Sequence, residues 1–154
     1  MIRGVSLKIP NQHGRFLRDL LKPFGVSEYD WWVGGEESYL IVDGEFEPLF
    51  PGLVECMEGD SLKRRIEGNE YYLIFQDLKA FPKGTKPIEI TTYSEFMNSD
   101  CELTLLVIDS SYIAIYCKDT DMTRKIYDNA KELDYTKVAY ITEENDFRTR
   151  LTVW

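Results

Sequence analysis

The chain has 154 residues and a formal net charge of −9. Hydrophobic residues make up 44% of it and aromatic residues 14%. This length suits one domain with a true core, and the composition is too apolar for a disordered chain. The acidic balance argues against nucleic-acid binding. Without a long apolar run, the sequence predicts neither an export signal nor membrane insertion.

The N-terminal residues predict a strand followed by a helix. Alternation over residues 2–9 places one apolar set on the inward face of a first strand. An apolar stripe recurs at helical spacing through Phe16, Leu17, Leu20, Leu21 and Phe24. We therefore expect a helix over residues 12–22, which Pro23 ends.

Two aromatic and β-branched runs follow, at residues 29–33 and 39–42. Between them lies Gly34-Gly35-Glu36-Glu37, whose glycines tolerate the positive φ of a tight turn. The pattern predicts two antiparallel strands joined by a hairpin. Prolines and glycines then punctuate residues 45–60, where we expect a long ordered loop, and long loops are often functional.

Residues 23–62 also concentrate the charge of the chain. This segment has no lysine or arginine, yet it holds ten of the 27 carboxylates; the other seventeen nearly balance the 18 basic residues. The acids are Glu28, Asp30, Glu36, Glu37, Asp43, Glu45, Glu47, Glu55, Glu58 and Asp60. A region of one sign attracts cations or basic surfaces.

Aromatic side chains in this segment favour a protein contact. Trp31 and Trp32 are neighbours in a predicted strand, so their side chains point to opposite faces of the sheet. One is expected in the core; the other faces either a covering helix or a partner, and its acidic rim would resemble a binding hot spot. The predicted partner-binding residues are Tyr29, Asp30, Trp31, Trp32, Glu36 and Glu37.

The remaining sequence predicts alternating strands and helices. We expect a helix over 61–67, a strand covered on both faces over 71–81, a brief strand over 88–91 and a short helix capped at Thr92-Tyr93-Ser94-Glu95. A hairpin of strands 103–108 and 112–117, a helix capped by Asp119 or Thr120, and strands 137–141 and 147–153 complete the chain. The predicted fold class is α+β, a single domain over residues 1–154 with a mostly antiparallel sheet and helices chiefly on one face.

The sequence contains no clear catalytic or metal-binding motif. His13 is the only histidine and has no nucleophile motif beside it. One histidine and three scattered cysteines suit neither a zinc site nor a disulfide framework, so we expect no metal, no cofactor and a reducing cytoplasm. The acidic turns at Glu36-Glu37 and Glu143-Glu144-Asn145-Asp146 could hold Ca²⁺ or Mg²⁺, although solvated turns are the commoner case.

Arg148 and Arg150 form a second candidate site. In a strand over 147–153 they share one face with Thr152 and Trp154, which could make an anion clamp with aromatic stacking. The alternative is that these arginines pair with acids on a neighbouring element.

Several stretches together resemble a known family: Gly34 to Ile41, Asn98 to Tyr112, Tyr116 to Asp119, and Tyr140 to Trp154. They are similar to a family of uncharacterised small proteins from spore-forming Gram-positive bacteria, and the similarity runs nearly full length. The resemblance implies a bacterial cytoplasmic home. Because the family is a domain of unknown function, it implies no catalytic residue.

Three functions remain open at this point. The leading hypothesis is an acidic interaction module, inhibitor-like or immunity-like, that docks a basic protein through residues 23–62. The alternative is a small enzyme or metabolite-binding domain with a pocket of carboxylates, Tyr and Arg. The third is a structural subunit that forms a homodimer, although the sequence leaves the oligomeric state undetermined.

Overall fold

An antiparallel sheet forms the frame of the protein. The computed structural model describes residues 1–50 and 55–153, the side chain of Glu36 excepted. In this part of the chain the strands are β1 (Ile2–Lys8), β2 (Tyr29–Val42), β3 (Glu45–Pro48), β4 (Cys56–Glu58), β5 (Tyr71–Pro82), β6 (Leu103–Ile108), β7 (Tyr112–Cys117) and β8 (Thr136–Thr142). Their order is β3-β2-β5-β6-β7-β1-β8, and β4 pairs with the N-terminal part of β2.

Helices and irregular segments cover both faces of this sheet. The helices are α1 (Phe16–Leu20), α2 (Gly59–Glu67), α3 (Tyr93–Asn98) and α4 (Thr120–Glu132), with a 3-10 turn at Val26–Glu28. The larger apolar cluster includes α1, α2 and α4 and defines the first face of the sheet. A smaller cluster with α3 and Leu151 defines the second face. The α+β prediction, with helices chiefly on one face, is confirmed.

The central strands are apolar on both faces because both faces are covered. Leu103, Leu105 and Val107 of β6 belong to the first cluster, whereas Leu106 lies in the second. Every one of these side chains is fully buried. The predicted hairpin of β6 and β7 is confirmed, with Asp109 at a φ of 52° in the turn.

Tyr71 ties two helices to the sheet. Its hydroxyl accepts hydrogen bonds from the backbone N–H groups of Leu17 (3.1 Å) and Arg18 (3.2 Å) and donates one to the carbonyl of Ile66 (3.0 Å). One side chain thereby satisfies free donors at the start of α1 and an acceptor near the end of α2. Burial raises the pKa of this hydroxyl well above its usual range.

Two helix caps predicted from the sequence are present, whereas Asp60, expected to cap the helix over 61–67, lies inside α2, whose N-cap Glu58 makes no side-chain cap hydrogen bond. The Thr92 hydroxyl accepts a hydrogen bond from the Glu95 N–H at 3.1 Å, and the Asp119 carboxylate accepts one from the Met122 N–H at 3.1 Å. These bonds satisfy donors in the first turns of α3 and α4. They fix where both helices begin.

The predicted hairpin at Gly34-Gly35 is wrong. Residues 29–42 form one long strand, and the pairing of β2 with β5 shifts register between Gly34 and Ser38. Gly35 does have a positive φ, 76°, but it serves a β-bulge rather than a chain reversal. The twelve residues of β5 offer β2 a pairing partner on both sides of this bulge, so the strand continues.

The chain reverses instead at Asp43-Gly44, where φ is 51° and 81°. This turn joins β2 to β3, with Ile41 opposite Phe46. The predicted long loop over 45–60 is therefore partly strand: β3 and β4 occupy its two ends, and residues 51–54 lie outside the described part. Asp-Gly between alternating residues is the usual signal for such a hairpin.

The predicted strands at 88–91 and 147–153 are also wrong. The C-terminal segment crosses the second face instead of pairing at an edge: the Leu151 N–H bonds the Thr91 carbonyl at 2.9 Å, and the Leu151 carbonyl accepts from Lys79. The backbone N–H and carbonyl of Leu151 thus find their partners across the face of the sheet and not along its edge. Residues 88–91 and 147–153 therefore cover the sheet but add no strand to it. The first helix is also shorter than predicted, because Gly14 bridges to Tyr71 in the sheet.

Candidate functional site

Five of the ten carboxylates of residues 23–62 lie along one edge of the sheet. Glu45 and Glu47 lie on β3, Glu58 on β4 and Asp30 on β2 beside it, while Glu55 directly precedes β4. We call these five residues the acidic edge. All are exposed except Asp30, which is half-buried. Half of the acids that cluster along the chain therefore also share one edge of the sheet, whereas Glu28 lies in the 3-10 turn and Asp60 in α2.

Within the part of the chain that the structure describes, no basic side chain forms an ion pair with the acidic edge. Among the described residues, the ion pairs involve other acids, and none of the five carboxylates lies within 4.0 Å of a basic nitrogen. Asp30 also stands directly opposite Glu58 in the pairing of β2 with β4. Like charges at such a cross-strand position destabilise a sheet.

Exposed apolar side chains accompany these acids at the hairpin of β2 and β3. Phe46 is 67% exposed and Ile41, its cross-strand partner, 52%. The rings of Tyr39 and Phe46 make an edge contact at 6.1 Å. Because side chains alternate along a strand, Phe46 points to one side of β3 and Glu45 and Glu47 to the other. The hairpin is thus apolar on one side and acidic on its opposite side.

Of the predicted aromatic residues, Trp31 belongs to the interior and the half-buried Tyr29 packs against it. Trp31 is fully buried, and its indole N–H donates to the Val26 carbonyl at 3.0 Å. This placement corrects the assignment of Trp31 to the partner-binding set, since no partner reaches a buried ring. Tyr29 stacks on Phe24 at 4.5 Å, and partial desolvation raises the pKa of its hydroxyl.

Trp32 lies on the second face and is half-buried there. It packs beside the smaller apolar cluster, and the Lys79 ammonium lies 5.3 Å from its ring centre. A β-carbon added at Gly34 would meet the Trp32 ring at 2.3 Å, so glycine leaves the space that this ring fills. The two tryptophans point to opposite faces, as the sequence predicted, and Trp32 is the one that other elements partly cover.

The predicted pair Glu36 and Glu37 lies at the bulge of β2. Glu37 is half-buried and stands opposite Phe75, while the side chain of Glu36 is outside the described part of the structure. The predicted partner-binding set left out the exposed residues Ile41, Val42 and Phe46, although Phe46 is one of the aromatic residues of the acidic segment. The Asp43-Gly44 turn signal would have placed them on a hairpin.

A second charged feature is buried beneath the C-terminal segment. On β5, Asp77 and Lys79 form an ion pair of 2.5 Å with side chains only 3% and 0% exposed. Lys79 Nζ also donates to the Leu151 carbonyl at 2.9 Å. Residues two apart on a strand share a face, so both lie on the second face of the sheet.

Desolvation has the largest effect on the pKa of the Asp77 carboxylate. Burial raises the pKa of Asp77 from 3.8 to about 6, although the nearby Lys79 ammonium acts to lower it. The buried thiol of Cys101, near the same cluster, also has its pKa raised, to about 11, by burial. A thiol with so high a pKa is a poor nucleophile at neutral pH.

The predicted arginine clamp is divided by the structure. Arg148 is half-buried, its backbone N–H bonds Asp146 at 3.3 Å, and its Nη1 donates to the Thr152 carbonyl at 3.3 Å. Arg150 is exposed, and no strand holds the two residues on one face. The prediction of a shared strand face is therefore corrected, because the segment is irregular.

The structure brings no metal or nucleophile constellation together in its described part. No group of three or more His, Cys, Asp or Glu residues there could hold a metal ion. His13 is exposed, and its ring lies 5.5 Å from that of Tyr72. A cavity of about 480 Å³ between α1 and α2 is lined by charges of both signs: the paired Arg18 and Asp19 together with Lys22, Lys63 and Glu67.

Fold and site together define an α+β protein with an acidic, partly apolar sheet edge. Within the residues described, none of the helices has the length and apolarity needed to cross a bilayer. The family model described as "Protein of unknown function (DUF2691)" matches residues 2–152, and the chain belongs to this family.

A protein of Bacillus subtilis (strain 168) is similar along the whole chain. It is described as "Uncharacterized protein YncE" and is 47% identical over 155 residues, which cover 99% of this chain and 100% of that protein. No solved structure matches the chain. The resemblance to an uncharacterised bacterial family is confirmed, and the function is unknown on these comparisons.

Proposed function

We propose that the protein is an interaction module whose acidic edge and adjoining hairpin bind a basic partner protein. The observation that carries this proposal is the combination of unpaired carboxylates with exposed apolar side chains at one sheet edge. Complementary charge would speed the encounter, and burial of Phe46 and Ile41 would hold the complex. Neither feature alone would suffice, since acidic surfaces also serve solubility.

The geometry of β3 supports a particular mode of binding, the addition of an extended strand. In the described sheet β3 is the terminal strand, and all four of its residues are exposed. A segment that pairs with its outer edge would present alternate side chains to the two sides of the hairpin. The matching partner therefore has apolar residues facing Phe46 and basic residues facing Glu45 and Glu47, in alternation.

The repulsion between Asp30 and Glu58 supports the same partner chemistry. Their register places two carboxylates at directly opposed positions with no basic side chain of the described residues to separate them. A lysine or arginine from a partner would relieve this repulsion. The acidic edge is thus more favourable in a complex with a cationic surface than alone.

We further infer that this interaction takes place in the cytoplasm. Cys56, Cys101 and Cys117 are all free thiols, the state that a reducing compartment maintains. The high pKa of Cys101 and the absence of a metal cluster among the described residues favour a binding role over an enzymatic one.

Affinity capture with a charge-reversed variant tests the proposal. The tagged protein is compared with the triple variant Glu45→Lys, Phe46→Ala and Glu47→Lys in native lysate at low salt. We expect the wild type to retain one or more basic proteins that the variant loses. Retention should weaken between low and physiological ionic strength, because the contact is partly electrostatic.

The matched control is Asp128→Lys with Glu132→Lys on the exposed side of α4, which makes the same change in net charge away from the acidic edge. It should retain what the wild type retains. If the hairpin variant keeps the same proteins as the wild type, the acidic edge is not the binding surface. If the α4 control loses them equally, net charge rather than this edge explains the capture.

A further inference from the structure

A groove lies on the second face of the sheet, at the half remote from the acidic edge. Its volume is about 420 Å³, and its floor is made by Ser6 of β1 and Ala114 of β7, which stand opposite each other. Two residues further along β1, on the same face, Lys8 stands opposite Tyr112. Small side chains in the middle and large ones at the end create the depression, and residues 145–148 form its wall.

The groove is positively charged in a protein whose net charge is −9. Lys8, Lys137 and Arg148 line it, and in the described part of the chain none of their charged side-chain nitrogens lies within 4.0 Å of a carboxylate oxygen. The carboxylate that lines it, Asp146, is 6% exposed and already pairs with Arg3 at 3.1 Å. Among the described residues these three side chains therefore have no ion-pair partner, although the Arg148 guanidinium donates one hydrogen bond to the Thr152 carbonyl at 3.3 Å.

Aromatic side chains border the same groove. Phe147 is 90% exposed and Tyr112 50%, and the Lys8 ammonium lies 4.9 Å from the Tyr112 ring centre. The wall that carries Phe147 is held in place: the Asn145 side chain accepts from the Thr142 N–H at 2.8 Å and donates to the Tyr140 carbonyl at 3.0 Å. An apolar ring kept in water by an anchored segment is available to stack on a ligand.

We propose that this groove binds a small aromatic anion. The planar ring lies over Ser6 and Ala114, between Tyr112 and Phe147, and its carboxylate or phosphate faces the three cations. The volume falls within the range of about 300–1,000 Å³ that is usual for small-molecule sites. The aromatic side chains would stack on the ring of such a ligand, and the cationic side chains would bind its anionic group.

Nuclear magnetic resonance titration of the full chain tests the proposal, with phenyl phosphate and benzoate as probes at low ionic strength. Inorganic phosphate supplies the charge without the ring, and phenol the ring without the charge. We expect both aromatic anions to shift the backbone amides of Ser6, Ala114 and Phe147, and to bind roughly tenfold more tightly than either half. The proposal fails if neither aromatic anion binds better than phosphate or phenol, or if the shifts lie elsewhere.

Variants of the groove separate a specific site from general attraction. Phe147→Ala should weaken phenyl phosphate binding about three- to tenfold through lost stacking. The double variant Lys8→Gln with Lys137→Gln should weaken it about tenfold at low salt and much less at high salt. The control is Lys125→Gln, an exposed lysine on α4, which should bind as the wild type does.

Because Phe147 and Lys137 are exposed, these variants should keep the amide spectrum of the folded protein. Groove variants that bind as tightly as the wild type would overturn the proposal, as would an equal loss in the Lys125 control. This test is independent of the acidic edge, which lies in another part of the sheet.

Discussion

The protein places charged residues on strands in two different environments. The ion pair of Asp77 and Lys79 is buried, whereas the acidic edge lies at the surface. The buried pair is closed to water and joined at 2.5 Å, with a further bond to the Leu151 carbonyl. The acidic edge is exposed and, among the described residues, has no basic partner within 4.0 Å. Burial demands a counterion, whereas solvent tolerates its absence. The edge therefore keeps its charge available for another molecule.

The largest expected effect is the loss of one member of the buried pair. Lys79→Met leaves the Asp77 carboxylate buried without its counterion, which should cost about 3–5 kcal/mol in the free energy of unfolding at neutral pH. Urea denaturation measures it. The double variant Asp77→Leu with Lys79→Met should recover most of this loss, because both desolvated charges are gone. If Lys79→Met is as stable as the wild type, the buried Asp77 carboxylate does not need its counterion.

The pH dependence of the free energy of unfolding should report the protonation of Asp77 in the same pair. The folded-state pKa of Asp77, about 6, lies above its ordinary value of 3.8, so the folded protein binds the extra proton between these values. The contribution of Asp77 should thus make stability fall as pH rises through this window, by about 1–3 kcal/mol, and leave it level above.

Unfolding of Asp77→Asn across the same pH range provides the reference. The difference between wild type and variant isolates this one carboxyl from the other acids of the chain. A wild type that gains stability relative to Asp77→Asn between pH 4 and 6 would show that the ion pair, not desolvation, dominates.

An intermediate effect is expected at Tyr71, which is buried but uncharged. Tyr71→Phe removes the hydroxyl that serves α1 and α2 and leaves the Leu17 and Arg18 N–H groups short of a partner. The expected loss is about 1–3 kcal/mol by urea denaturation. Tyr112→Phe, at a half-exposed hydroxyl, is the matched control and should change stability little. Equal effects of the two variants would refute the role given to the Tyr71 hydroxyl.

The smallest expected effect is at the acidic edge itself. Asp30→Asn removes one of two opposed carboxylates and should raise stability by about 0.2–1 kcal/mol at low salt, with less gain at high salt. Asp128→Asn on α4 should show no such gain. A clear loss of stability in Asp30→Asn would mean that this carboxylate has a favourable partner within the chain.

The sequence predicted most elements because their signals are local. Alternation, helical stripes and caps such as Thr92 and Asp119 act over a few residues and identified most strands and all four helices. The errors concern choices that depend on the rest of the fold. Gly34-Gly35 suits a turn or a bulge equally, and only the length of β5 decides between them.

The candidate site was predictable in composition and less so in geometry. Ten acids without a base between residues 23 and 62 are visible in the sequence, but the burial of Trp31 depends on packing against distant residues. Likewise, Arg148 and Arg150 separate because the C-terminal segment crosses the sheet face, held by Lys79. Tertiary contacts of this kind leave no local pattern.

If the acidic edge receives an extended basic segment, a short peptide of alternating lysine and valine should bind there, which amide shift mapping can measure. We expect shifts concentrated in β3 and at Asp30 and Glu58, and none with a peptide of alternating glutamate and valine. Lysine–valine shifts spread evenly over acids on all sides of the protein, or no binding at low salt, would contradict this proposal.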